Sequence, residues 1–437
     1  MDFGPRVYEL FADQQDFTDM EAQSMTADSA AVPTFGWRRF LLVAGPGLVV
    51  MLADTDAGSI ITAAQSGAQW GYRLLVLQLI LIPILFVVQE LTVRLGIVSG
   101  KGHGELIRDR FGRRWAWVSV GTLVLACVGA LLSELSGLAG VGLIFGVPAW
   151  LTMTVVVCGL TLMVYTGSYL SVERMAMAIG AFELVFLLVA WKAQPQTSAI
   201  FSGALSIPWR EPKYLYLVAA NIGAVIMPWM VFYQQSAVVE KKLATIDLAA
   251  ARWDTALGAV VTQVIMASVL VATAATLGNA GPQPALDTVQ QIARAITPFL
   301  GETSGKLLFG LGMTGAALVA TIVVTLTAAR TLGEVLGVKH SLEHAPREAP
   351  WFYGIYTVSL AASGLFVASG VNLISLSVGV QVMNALLLPL VLGFLYLLAR
   401  RLPLPHRLGG GYAVIVILTI TLTAGFGVYA ALAGVLG

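Results

Sequence analysis

From Trp117 to Ser133, and again from Ala413 to Gly437, the chain runs without one charged residue. Roughly 20 apolar residues in helical form cross a bilayer, so such runs read as transmembrane spans. Composition leaves them no other home. Of 437 residues, 57% are hydrophobic and 11% charged, against about 25% charged in a soluble domain. No soluble core of this size hides so much apolar surface. The chain is therefore read as an all-α integral membrane protein with the lipid bilayer as its main partner. A net charge of +1 gives no bulk attraction for nucleic acid. No nucleophile–base set, phosphate loop or cofactor motif appears, so neither enzymatic activity nor a bound cofactor is expected. Cys127 and Cys158 lie inside apolar runs without metal or redox spacing and read as small core hydrophobes.

Hydropathy and punctuation give eleven segments, near 40–70, 73–99, 115–146, 148–169, 172–192, 214–239, 252–278, 303–336, 351–370, 372–400 and 411–436. Ahead of them, residues 1–37 hold seven acidic residues, from Asp2 to Asp28, and read as a disordered acidic tail without a signal peptide. Sorting Lys and Arg by loop puts 19 on the side of the N-terminus and 6 on the other. The positive-inside rule then places the N-terminus in the cytoplasm and, after eleven crossings, the C-terminus outside the cell membrane.

Two segments are interrupted. The first carries Gly45-Pro46-Gly47 and then Asp54-Thr55-Asp56-Ala57-Gly58-Ser59; the sixth carries Asn221, Gly223 and Met227-Pro228. They open two five-helix halves, 38–201 and 202–402, with 403–437 as an eleventh helix. Matching breaks in two halves point to a transporter's midplane site. Two aspartates in hydrocarbon cost roughly 2.5–3.5 kcal/mol each on insertion scales, so a cation, a water-filled vestibule or protonation must offset them. Unwinding at Ala57-Gly58 would free carbonyl ligands, and Gly58 would turn the chain without a Cβ penalty. Pro228 removes a backbone donor and so exposes carbonyls near Ala224. The Met227 thioether beside carboxylates favours Mn²⁺ or Fe²⁺ over Mg²⁺ or Ca²⁺. The plainer alternatives are a helix-capping aspartate and a simple Met-Pro kink.

Gly45-Pro46-Gly47-Leu48, the stretch Gln65-Ser66-Gly67-Ala68-Gln69-Trp70-Gly71-Tyr72, Arg94–Lys101 and Ile222–Pro228 resemble the NRAMP family of divalent-metal transporters. That resemblance implies a LeuT-like fold of two inverted five-helix repeats plus an eleventh helix, with a metal held between unwound helices one and six. The family's Asp-Pro-Gly-Asn signature falls on Asp56-Ala57-Gly58-Ser59, so Asp56 stands as the metal carboxylate and Ser59 where an asparagine ligates. Its Met-Pro-His motif falls on Met227-Pro228-Trp229, keeping the methionine ligand and the Ala224 carbonyl but replacing the histidine by Trp229. A second family histidine falls near Gln235. Asp54 is an added carboxylate. The family couples metal to protons through an acid on helix three, where Glu134 lies, and through charged residues on helices six and nine. Segment nine, Trp351 to Ser369, has no charge, and His103, His340, His344 and His406 all fall in predicted loops. Weak or altered proton coupling is expected.

Gln89 is a candidate to approach the metal, and Gln381 and Asn384 could complete its shell. Glu90 with Arg94 reads as a structural i,i+4 pair, and Glu183 as a residue with an interhelical partner. The expected activity is secondary import of a Mn²⁺/Fe²⁺-like cation, with Mg²⁺ possible, by alternating access in a monomer. The competing reading is a small organic solute on the same scaffold, with Trp229 walling the pocket. A metal sensor or channel is the third class, and a sensor would call for a cytoplasmic domain.

Overall fold

The computed structural model describes residues 37–278, 285–370 and 374–436, and among them there are helices and connections but no strand. The predicted tail lies outside the described residues, apart from Trp37. The chain divides into two units, Met1–Leu41 and Leu42–Gly437. Of the first unit only the helical stretch Trp37–Leu41 is described, and the second unit holds the helix bundle.

The helices are α1 Trp37–Val43, α2 Pro46–Asp54, α3 Ala57–Trp70, α4 Leu75–Ser99, α5 His103–Phe111, α6 Arg113–Ile144, α7 Ala149–Thr166, α8 Tyr169–Gly180 and α9 Val185–Lys192. Then come α10 Thr197–Ala204, α11 Pro212–Val225, α12 Pro228–Glu240, α13 Leu248–Leu277, α14 Val289–Ile296, α15 Glu302–Leu336, α16 Pro350–Ala368, α17 Ile374–Ala399 and α18 Gly410–Leu436. Among the described residues, ten helical stretches are long and apolar enough to cross a membrane. The first of these, Ala57–Ser99, has 43 residues, which is about 65 Å of helix, or twice a hydrocarbon core. It turns back at Gly71, whose φ of +58° is open to glycine. Counting both halves gives eleven crossings, at the places the hydropathy reading set within a few residues.

Helices α2 and α3 form the first crossing, and α11 and α12 the sixth. Apolar runs buried all round must sit inside the bundle, and the sixth crossing is such a run: 94% of its most apolar window is buried, against 17% for α7. Helix α7 faces outward, which explains why Cys158 is exposed rather than a core residue, while Cys127 on α6 is buried. Helix α15 packs along α6, and α11 lies between α17 and α18.

At the Gly45 end of the bundle, polar contacts tie α2 down. Asp254 Oδ2 accepts the N–H groups of Gly45 (3.2 Å) and Gly47 (2.7 Å), serving as the cap that α2 lacks in its own sequence. Lys241 bonds the Ala44 carbonyl and the Glu173 carboxylate at 2.8 and 2.7 Å. Glu90 holds Arg94 as expected, and also Arg252 and the Tyr412 hydroxyl. His103 is not a solvated loop residue. It begins α5 as a fully buried ring, with Nδ1 2.8 Å from Gln235 Oε1 and its plane edge-on to Phe232.

Candidate metal centre

Helix α2 ends at Asp54 and α3 begins at Ala57, so the unwound link is Thr55-Asp56 and not Ala57-Gly58. The reason is capping. Asp56 is extended (φ −70°, ψ 171°), and its Oδ1 accepts the Ser59 N–H at 2.6 Å. Glu134 Oε2 reaches from α6 to accept the Ala57 N–H at 2.9 Å. Two carboxylates thus satisfy the free donors of one helix N-terminus, where the helix dipole favours negative charge. Gly58 is already helical and makes no turn. Its missing Cβ leaves room for the Gln381 amide and the Ser133 hydroxyl to lie against the backbone.

The second break follows from Pro228. Helix α11 ends at Val225 and α12 starts at Pro228, with Met227 extended between them. In a continuous helix the Ala224 carbonyl would accept from residue 228, which as proline has no N–H to give. The Ser59 hydroxyl donates to that carbonyl at 3.2 Å. With the Asn221 amide donating to the Ser66 hydroxyl at 2.8 Å, two hydrogen bonds join the two interrupted helices. Met227 and Trp229 are fully buried, and the indole N–H of Trp229 has no acceptor among the described residues.

Asp54, Asp56, Glu134 and Glu183 are 1%, 0%, 0% and 0% exposed, so the centre is closed to solvent. None of the four pairs with a Lys or Arg among the described residues. Asp56 has each of the other three as a charged neighbour. Asp56 and Glu134 lie within hydrogen-bonding reach of each other, and no donor among the described residues is aimed at Asp56 Oδ2 or Glu134 Oε1. Asp54 instead turns to α13, where the Thr262 hydroxyl lies 3.4 Å from its Oδ2. Glu183, in the 3-10 turn Ala181–Leu184, faces the Thr55 side chain. Thr55 is thus the residue it meets across the helices, and no basic side chain pairs with it among the described residues. Among the described residues no three His, Cys, Asp or Glu side chains converge on one point. Any cation held here takes neutral oxygen or sulfur donors as well.

Gln381 lies within reach of Asp56, and its Oε1 is already taken by the Asn384 amide at 2.9 Å. Both amide atoms of Gln89 are buried without a hydrogen-bond partner among the described residues. Thr262 and Ser133 were not singled out by sequence. They sit on the unbroken helices α13 and α6, where one small polar residue among apolar ones carries no signal.

Residues 47–433 match the sequence profile of the family described as natural resistance-associated macrophage protein-like, abbreviated Nramp. The chain belongs to the Nramp family. Members are membrane transporters and not enzymes. A divalent metal cation transporter of Ralstonia nicotianae is 29% identical to this Nramp chain over 306 residues, covering 65% of it and 67% of the relative. A Populus trichocarpa metal transporter is 28% identical over 232 residues, with 51% and 45% covered. Among solved structures, the Eremococcus coleocola manganese transporter superposes with a TM-score of 0.74 at 21% identity, covering 93% of this chain and 90% of that one. A nucleobase-cation-symport-1 family transporter in a closed conformation gives 0.58 at 16% identity, covering 89% and 90%. The Nramp chain has the LeuT-like fold: two inverted five-helix repeats and an eleventh helix.

Proposed function

We propose that this protein imports a divalent metal cation, Mn²⁺ or Fe²⁺ in preference to Mg²⁺, by alternating access about the two helix breaks. The observation that carries the reading is the Ser59–Ala224 hydrogen bond of 3.2 Å, which brings the first break, with a free oxygen on Asp56, against the second, which ends on Met227. Asp56 would supply charge, the Ala224 carbonyl a neutral oxygen and Met227 a soft thioether that selects against Mg²⁺ and Ca²⁺. Ser59 spends its hydrogen on Ala224, leaving its oxygen lone pairs toward the cation. Ala57 and Gly58 hold the N-terminal turn of α3, with Gln381 against it; Gln89 brings an unpaired amide. Asp54 faces away from this set, toward α13.

The transport cycle then consists of α2 and α12 moving against α3 and α11 at Thr55-Asp56 and Ile226-Met227, the places where no helical hydrogen bond resists rotation. Glu134 holds the Ala57 N–H beside Asp56 and so adds negative charge next to the metal carboxylate. Trp229 in place of a histidine and the uncharged helix α16 remove the rest of a proton path, so we infer weak proton coupling. The N-terminus lies in the cytoplasm, by the 19 to 6 partition of basic residues, and the protein works as a monomer.

The test is calorimetric titration of Mn²⁺, Fe²⁺, Mg²⁺ and Ca²⁺ into the wild type and Asp56→Ala. Mn²⁺ binding by the wild type and its loss in the variant is the expected result, and no divalent binding by the wild type refutes it. Strict dependence of uptake on a pH gradient in proteoliposomes would refute weak coupling. The organic-solute reading keeps one observation, the unpaired Trp229 indole. It would be favoured if small solutes, and not Mn²⁺, raised the melting temperature.

A further inference from the structure

At the end of the bundle where α2 begins, the last turn of α4, helix α5 and the last turn of α17 enclose a cleft of about 380 Å³. Val98, Leu106 and Leu398 give it apolar walls, and Lys101, Arg110 and Arg401 give it charge. The carboxylate in its wall, Asp109, is already matched, because Lys101 Nζ holds Asp109 Oδ2 at 2.5 Å. Arg110 and Arg401 are left with two positive charges that no carboxylate pairs among the described residues.

The fold brings these two arginines together from 291 residues apart in the chain. The Arg401 guanidinium lies 4.6 Å over the Phe111 ring and donates to the Arg110 carbonyl at 3.4 Å. Phe111 and Trp115 pack edge-on against Phe394 of α17. The stack fixes the plane of Arg401 and leaves its other N–H groups open to a ligand. Arg113, Arg114 and Arg400 are exposed and extend the charge on either side, again without an ion pair among the described residues. Arg113 and Arg114 begin α6, the helix end at which the dipole opposes positive charge, so helix stability does not account for them.

The surroundings select the anion. Trp115, Trp117 and Val118 on the first turn of α6 are all exposed, and exposed tryptophans at the end of a span mark the headgroup level of a bilayer. A free anion would have no use for this apolar surface, whereas a phospholipid brings acyl chains to cover it. Basic pockets between transmembrane helices on the side rich in Lys and Arg are suited to anionic headgroups, and the planar fork of arginine matches phosphate. We propose that this cleft binds an anionic phospholipid, with its phosphodiester between Arg110 and Arg401 and its chains along Trp115, Trp117 and Val118. The lipid ties the end of α17 to α5, and the site stands independently of the metal centre.

The experiment places the purified full-length protein in phosphatidylcholine nanodiscs, replaces a rising share of that lipid by phosphatidylglycerol, and reads the melting temperature. A saturable rise with phosphatidylglycerol is expected in the wild type. Arg110→Gln and Arg401→Gln should each move its midpoint to about fivefold more phosphatidylglycerol, the loss of one arginine beside a charged headgroup. Arg174→Gln removes the same charge from an exposed position on α8 and should leave the midpoint where it is. Arg401→Gln also loses the Phe111 contact; if it is not monodisperse, Arg110→Gln carries the test. No effect of phosphatidylglycerol on the wild type overturns the site. So does a wild-type midpoint in both cleft variants, or an equal shift in Arg174→Gln, which would mean diffuse surface charge. An equal rise from glycerol phosphate added to phosphatidylcholine nanodiscs would make the ligand a free phosphate ester and overturn the lipid.

Discussion

Adding one methyl group at Gly223 should disable the transporter, whereas adding one at Gly58 should not unfold it. Gly223 lies on α11 where that helix crosses α17. A Cβ there would fall on the Gln381 carbonyl oxygen and 2.7 Å from the Ala385 nitrogen. Ordinary Cβ contacts begin at 3.4 Å, so clearing the Ala385 nitrogen alone takes a retreat of about 0.7 Å, clearing the nearer Gln381 oxygen takes more, and both opposing groups are backbone that cannot rotate away. Overpacking costs about 1–3 kcal/mol, and rigid neighbours place this case at about 3. At about 2 °C per kcal/mol for a large chain, the melting temperature of Gly223→Ala should fall by about 6 °C or more. Ala224 is the next residue, and the same retreat would stretch its 3.2 Å bond to Ser59 beyond hydrogen-bonding range, to about 3.9 Å. Mn²⁺ uptake should drop at least about tenfold. At Gly58 the new Cβ meets the flexible ends of Gln381 and Ser133. Gly58→Ala should melt within about 2 °C of the wild type and change only metal affinity. Thermal melts by size-exclusion fluorescence, with uptake in proteoliposomes, read both variants. A Gly223→Ala protein that melts and transports like the wild type would refute the close crossing of α11 and α17.

Three further outcomes are expected. Asp254→Ala strips two N–H groups at the start of α2 of their acceptor, at a cost of about 1–3 kcal/mol; maleimide should label Ala44→Cys faster in that background, with Cys127 and Cys158 removed. Glu90→Gln leaves Arg94 facing Arg252 without the shared carboxylate, and should cost about 2–3 kcal/mol after allowing for the partly exposed Arg252, with Mn²⁺ affinity unchanged. Burial pushes the His103 ring down to about 4, against a smaller upward pull from Gln235. The unfolded chain then binds a proton below about pH 6.5 that the folded chain refuses. Stability should be fully present above that value and fall as the pH drops toward 4, by up to about 1.4 kcal/mol per unit, and His103→Gln should flatten that slope in melts from pH 4.5 to 7.5.

The sequence by itself determined the membrane class, the eleven crossings and the two breaks. Each follows from local physics. Apolar length sets a span, Pro228 denies Ala224 its helical donor, and an aspartate ahead of a glycine-containing turn caps a helix. Local physics also misplaced the first break by two residues, because Asp56 caps through Ser59 and draws Ala57 and Gly58 into the helix. Tertiary structure alone decided which groups face each other. No periodicity brings Thr262 to Asp54, Glu134 to the Ala57 N–H or Asp254 to Gly47, since each pair joins helices from 77 to 208 residues apart in the chain. It put Asp54 and Asp56, near neighbours in sequence, on either side of the helix break, and it brought Glu183 to face Thr55. Hydrophobicity decides where a helix lies in the bilayer, but the few polar side chains inside are paired only by how the helices pack.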